Sequence, residues 1–109
     1  MSQLLTDQRS FLEHFVSAGL KQRKALLRTL TDLQLKAIGE VIHNVLKGNV
    51  PVTSEQQHLL KRHRSILYLL ADRTIRPFQK RSVIERAANP IKFVLNLALP
   101  HIPWLTNPS

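Results

Sequence analysis

Residues 57–86 read QHLLKRHRSILYLLADRTIRPFQKRSVIER, and here the densest basic charge of the chain and a helical apolar stripe occupy the same residues. Leu59, Leu60, His63, Ile66, Leu67 and Leu70 recur at the spacing of one helix face, whereas Lys61, Arg64, Ser65 and Tyr68 fall on the opposite side. The pattern predicts a central helix from near Ser54 to between Ala71 and Arg73, packed on one face and turned on the other toward something acidic. Nucleic acid, an anionic membrane surface and an acidic protein all fit that description.

Working outward, the signals on both sides are helical. Arg76-Pro77 opens a fifth segment, since proline is well tolerated in a first turn. Phe78, Val83, Ile84 and Ala87 are expected to face inward there, with Lys80, Arg81 and Arg86 outward. Asn89-Pro90 is expected to close it, because the residue before proline avoids the helical region. Upstream, Thr53 with Gln56 has capping-box spacing, and Gly48-Asn49 with Pro51 separates the central helix from a third one. That third helix starts from a second capping box, Thr31 with Gln34, runs to about Lys47, and is expected to bury Leu33, Ala37, Ile38, Val41, Ile42, Val45 and Leu46.

Two shorter helices are expected before it. Thr6 or Asp7 can cap a first helix carrying Phe11, Leu12, Phe15 and Val16, with Gly19 ending it in the left-handed conformation. Leu20–Leu30 sets Leu20, Leu26, Leu27 and Leu30 against Lys21, Arg23, Lys24 and Arg28, a weaker amphipathic pattern with its own basic cluster. The expected fold is therefore all-α: one compact bundle of five or six short helices over residues 1–105, with a disordered polar tail over 106–109.

The segment Ile91–Leu105, IKFVLNLALPHIPWL, is the most apolar of the chain. It is shorter than the roughly 20 apolar residues needed to span a bilayer, and Pro100 and Pro103 interrupt it. One expectation is a terminal core helix followed by an extended arm whose Trp104 plugs a groove. The other is an interfacial or partner-docking segment anchored by Ile102, Trp104 and Leu105.

Composition limits the function classes. The chain of 109 residues has a formal net charge of +9, no cysteine and three isolated glycines. Disulfides, thiol catalysis and Cys-type zinc sites are excluded, and no phosphate-cradling glycine loop is present. The charge is uneven: residues 1–60 sum to +2 and residues 61–109 to +7. The carboxylates are scattered singly, so an enzyme is not expected. His58 and His63 are five apart, which is not the spacing of a helical metal site, and neither a metal nor a cofactor is expected. No apolar run follows a basic start, so the expected setting is intracellular, nuclear or inside a virion.

The basic face carries the functional expectation. Lys61, Arg62, Arg64, Arg73, Arg76, Lys80, Arg81 and Arg86 fall on two successive helical segments joined by a tight corner from Asp72 to Pro77, suited to phosphate backbones through counterion release. Tyr68 adds an aromatic that can stack or hydrogen-bond to a sugar-phosphate chain. The expected nucleic-acid contacts are Lys61, Arg62, Arg64, Tyr68, Arg73, Arg76, Lys80 and Arg81, with Lys21, Arg23, Lys24 and Arg28 as a candidate second patch. The bland alternative is a solvated cationic face. An alternative of another class is a structural or assembly protein that docks to a capsid, a sister subunit or a membrane through its apolar helices and tail.

Particular words in the chain carry a resemblance. NVLKGNVP at Asn44–Pro51, Leu-Lys-Arg-His-Arg at Leu60–Arg64 and Leu-Ala-Asp-Arg at Leu70–Arg73 resemble small basic proteins of Polinton-like and adintovirus-type DNA viruses and their insertions in invertebrate genomes. The likeness covers roughly Leu33 to Pro100. The chain departs from the group's pattern where Phe78–Arg81 is less basic and where Ala87-Ala88-Asn89-Pro90 stands in place of a glycine pair. The resemblance implies a virion-associated or core-type protein.

Overall fold

Residues 2–105 are described by the computed structural model, and from Gln3 to Trp104 they pass from helix to helix with only short connections. Eight α-helices follow one another among the described residues: α1 Gln3–Asp7, α2 Arg9–Ser17, α3 Leu20–Arg28, α4 Asp32–Leu46, α5 Ser54–Arg62, α6 Arg64–Ala71, α7 Pro77–Arg81 and α8 Ala88–Ala98. Single 3₁₀ stretches, Ile84–Ala87 and Leu99–Trp104, flank α8. The all-α expectation holds, with more and shorter helices than five or six. The expected tail over 106–109 lies outside the described residues.

The helix starts follow from side-chain chemistry. Thr31 and Thr53 each accept the amide of the third helical residue, Gln34 and Gln56, at 3.1 Å, and each glutamine returns a carbonyl to the cap amide. Both expected capping boxes are thus formed, satisfying two orphan amides at each start. Gly48 ends α4 at φ 83°, a left-handed turn at the stop expected there. Pro77 takes the first position of α7, where its missing N–H costs nothing.

Several boundaries fall elsewhere than the sequence suggests. The N-terminal cap is Ser2, whose Oγ accepts the Leu5 amide at 3.2 Å, so Thr6 and Asp7 lie inside an extra helix and not at the cap of α2, which follows Gln8. Gly19 sits at φ −71°, ψ 167° and caps α3 instead of closing α2 in the left-handed region. The predicted central helix is broken at His63, at φ −106°, ψ 17°, whose amide divides between the Leu59 and Leu60 carbonyls at 3.3 Å each. Across the break Leu60, Leu67 and Leu70 are buried, while Leu59 is exposed and His63 only partly covered. Asn89-Pro90 opens α8 instead of ending a helix, since Pro90 lies in the first turn.

α4 is the axis of the molecule. It packs against α1, α6 and α8, and buries Leu35, Ile38, Ile42 and Val45 along one stripe with Ala37 and Val41 beside it. Leu33, expected inside, is 58% exposed because it precedes that stripe by two residues, and Leu46 is only partly buried. Against α6 the approach is backbone to backbone: a Cβ on Gly39 would stand 3.0 Å from the Leu70 carbonyl oxygen, so glycine is what lets the two helices close.

The C-terminal segment completes the core. α8 buries Ile91, Val94, Leu95 and Ala98, and the following 3₁₀ stretch returns Ile102 and Leu105 to the interior. These two residues are therefore core side chains in this fold. The last turn is a 3₁₀ helix instead of an extended arm, and Trp104, 75% exposed, plugs nothing within the domain. Phe78, expected inward, is 65% exposed on α7. A Cα radius of gyration of 12.5 Å, close to the roughly 13 Å of a compact chain this long, agrees with one continuous core. No helix of the described residues is long and apolar enough to cross a membrane.

Candidate functional site

One partly covered side of α4 determines where the basic surface lies. Lys36, Glu40, His43 and Lys47 recur at i, i+4, i+7 and i+11, which places them along one side of the helix, next to α6 and the corner after it. Hollows along that side share lining residues and so form one groove. The first, about 360 Å³, lies between Asp32, Leu35, Lys36, Gly39 and Glu40 and the corner residues Ala71, Arg73, Ile75, Pro77 and Lys80. The second, about 530 Å³, shares Ala71 and adds His43, Leu46, Lys47, Tyr68, Leu69 and Asp72. A third, about 300 Å³, shares Leu46, Lys47 and Tyr68 and reaches Lys61 and Arg64. A fourth, about 380 Å³, shares Lys61, Gln57 and Val52 and ends at Thr53, Ser54 and His58.

Six cations line this groove, Lys36, Lys47, Lys61, Arg64, Arg73 and Lys80, against the three acids Asp32, Glu40 and Asp72. The acids are engaged from within the protein. Asp32 Oδ1 accepts from Arg81 Nη2 at 2.8 Å, and buried Glu40 Oε2 accepts from Ser2 Oγ at 2.7 Å. Asp72 Oδ1 accepts from both the amide and the hydroxyl of Thr74, at 2.9 and 2.7 Å. Those bonds hold the Asp72 carboxyl below the usual carboxylate range and fix the corner after α6. By contrast Lys36, Lys47, Lys61 and Arg64 join no ion pair among the described residues.

Burial, more than charge, shifts two groups of the groove. Partial burial, then Lys47 and Arg73, push the His43 imidazole below its ordinary pKa, with Glu40 opposing. Burial lowers the Lys80 ammonium, with Asp72 opposing. Tyr68 stands between the second and third hollows, 55% exposed.

The expected contacts divide accordingly. Lys61, Arg64, Tyr68, Arg73 and Lys80 line the groove. Arg62 and Arg76 are exposed but do not line these hollows. Arg81 is withdrawn: its guanidinium donates to the Leu30 carbonyl at 2.6 Å and to Asp32, pinning α7 to the start of α4. The second patch also shrinks. Arg23 is 5% exposed and donates to the Ala18 carbonyl and Asn89 Oδ1, at 2.6 and 2.8 Å, while Arg28 bonds Glu85 at 2.8 Å. Sequence reasoning missed Lys36, His43 and Lys47. Their i, i+7, i+11 spacing was the available signal, but Lys36 and Lys47 lie outside the dense basic run. Among the described residues no group of His, Asp and Glu is placed to hold a metal ion.

Comparison with protein-family models, curated proteins and solved structures finds no match to this chain.

Proposed function

We propose that this chain is a non-enzymatic nucleic-acid-binding protein that holds phosphate backbones, largely without regard to base sequence, in the groove beside α4. The observation that carries the proposal is the asymmetry of that groove: four of its cations have no ion-pair partner among the described residues, while its three acids are occupied by internal donors. Polyanions bind such surfaces by displacing condensed counterions, and the +9 net charge speeds the encounter. The resemblance to small basic viral proteins supports a setting in a virion core or in genome packaging.

The competing reading, a structural protein docking through its tail, loses two of its three anchors, because Ile102 and Leu105 are spent in the protein's own core. Titrating labelled oligonucleotide with the protein at several salt concentrations tests the proposal. Binding that weakens steeply with salt, and that Lys36→Glu with Lys47→Glu removes, supports it. Binding that survives those changes, or is absent at low salt, refutes it.

A further inference from the structure

We infer that the strand held in this groove is single, with bases turned toward Tyr68 and phosphates along the cationic rim. The inference rests on the nucleic-acid reading above and adds the class of ligand. Tyr68 forms a wall of two adjoining hollows, about 530 and 300 Å³ in volume, and more than half of it is open to solvent. Leu46 lines both hollows beside it, and Leu69 lines the larger.

A duplex keeps its bases stacked inside and presents phosphates outward, so an exposed ring and apolar walls recessed in a groove would go unused by it. A single strand offers its base faces, and each can be laid on an aromatic ring or against aliphatic side chains. Lys47 lines the same two hollows as Tyr68, and Lys61 and Arg64 line the smaller, so cations lie where the phosphates flanking a stacked base would run. α4, with 15 residues, gives the groove a length of about 22 Å, room for a few nucleotides of an extended strand.

The test compares a labelled 12-nucleotide single strand with the blunt duplex of the same sequence, at low salt, on the wild-type chain, Tyr68→Ala and Tyr68→Phe. The expected result is single-strand affinity about tenfold or more above duplex affinity. Tyr68→Ala should cost the single strand roughly 5- to 150-fold, the range for one lost stacking partner, and leave the duplex within about twofold. Tyr68→Phe should keep the preference, because the ring and not the hydroxyl supplies the stacking. Since Tyr68 is exposed, thermal melts of both variants should match the wild type. Equal or tighter duplex binding, an unchanged single-strand affinity in Tyr68→Ala, or equal losses on both ligands would overturn the single-strand assignment and leave the basic groove standing. Binding of neither ligand would overturn the groove itself.

Discussion

Ser2 Oγ donates to Glu40 Oε2 at 2.7 Å across 38 residues of chain, and both side chains are buried. The same hydroxyl accepts the Leu5 amide, so one atom caps α1 and occupies the carboxylate that lines the groove. Ser2→Ala should remove the cap and strip a donor from a buried acid. The expected cost is about 2 kcal/mol, adding a lost cap to a lost charge-assisted hydrogen bond. For a chain of this size that lowers Tm by roughly 9 °C, read by circular dichroism. Glu40→Gln keeps an acceptor for Ser2 and should cost less than half as much.

Gly39 and the Leu70 carbonyl set the distance between α4 and α6. Gly39→Val would push two helices apart where a backbone oxygen cannot move aside, and should destabilise by roughly 1–3 kcal/mol. Urea denaturation should show a lowered midpoint with an unchanged slope. A midpoint equal to wild type would mean that the helices are not closed at this point.

Arg81 separates a structural cation from a ligand-binding one. Arg81→Gln combined with Asp32→Asn removes a pair of opposite charges, so it should lower stability by about 1 kcal/mol, through loss of the bonds to Leu30 and Asp32, yet change polyanion affinity by less than about threefold. A loss as large as that from Arg64→Gln would restore Arg81 to the binding surface.

Much of the fold was legible because its punctuation is local. The capping boxes at Thr31 and Thr53, the Gly48 stop and Pro77 at a first turn each depend on residues within four positions. The break at His63 was not legible, because no glycine or proline marks it and the stripe from Leu59 to Leu70 continues across it. Phe78 and Leu33 misled for a related reason: apolar identity suggests burial, but only the angle at which α7 and the first turn of α4 meet the core decides it. In the candidate site, the half contributed by α5, α6 and the following corner could be read from charge density. The half contributed by α4 required knowing that α4 and α6 are neighbours.

His43 gives the groove a dependence on pH. Its folded pKa lies below the unfolded value of 6.5, so between the two values the unfolded chain binds more protons than the folded one. Stability from this residue is therefore present above about pH 6.5 and falls as the pH drops through that value toward the folded pKa. A bound polyanion reverses the balance by favouring the imidazolium beside Lys47 and Arg73. Affinity should rise as the pH falls from about 7.5 to about 5.5, and His43→Gln should flatten that rise.

The most direct measurement is the salt dependence of oligonucleotide binding by the wild type and by a Lys36→Glu, Lys47→Glu, Lys61→Glu, Arg64→Glu variant. Four phosphate contacts should give a slope of log affinity against log salt of about −2.8 to −3.6, a loss of roughly 50- to 150-fold between 50 and 200 mM. Because none of the four side chains holds an ion pair among the described residues, the variant should keep the wild-type helicity and melt while losing both the affinity and the slope. A fully folded variant that binds with the wild-type slope would contradict the assignment of phosphate binding to the groove beside α4.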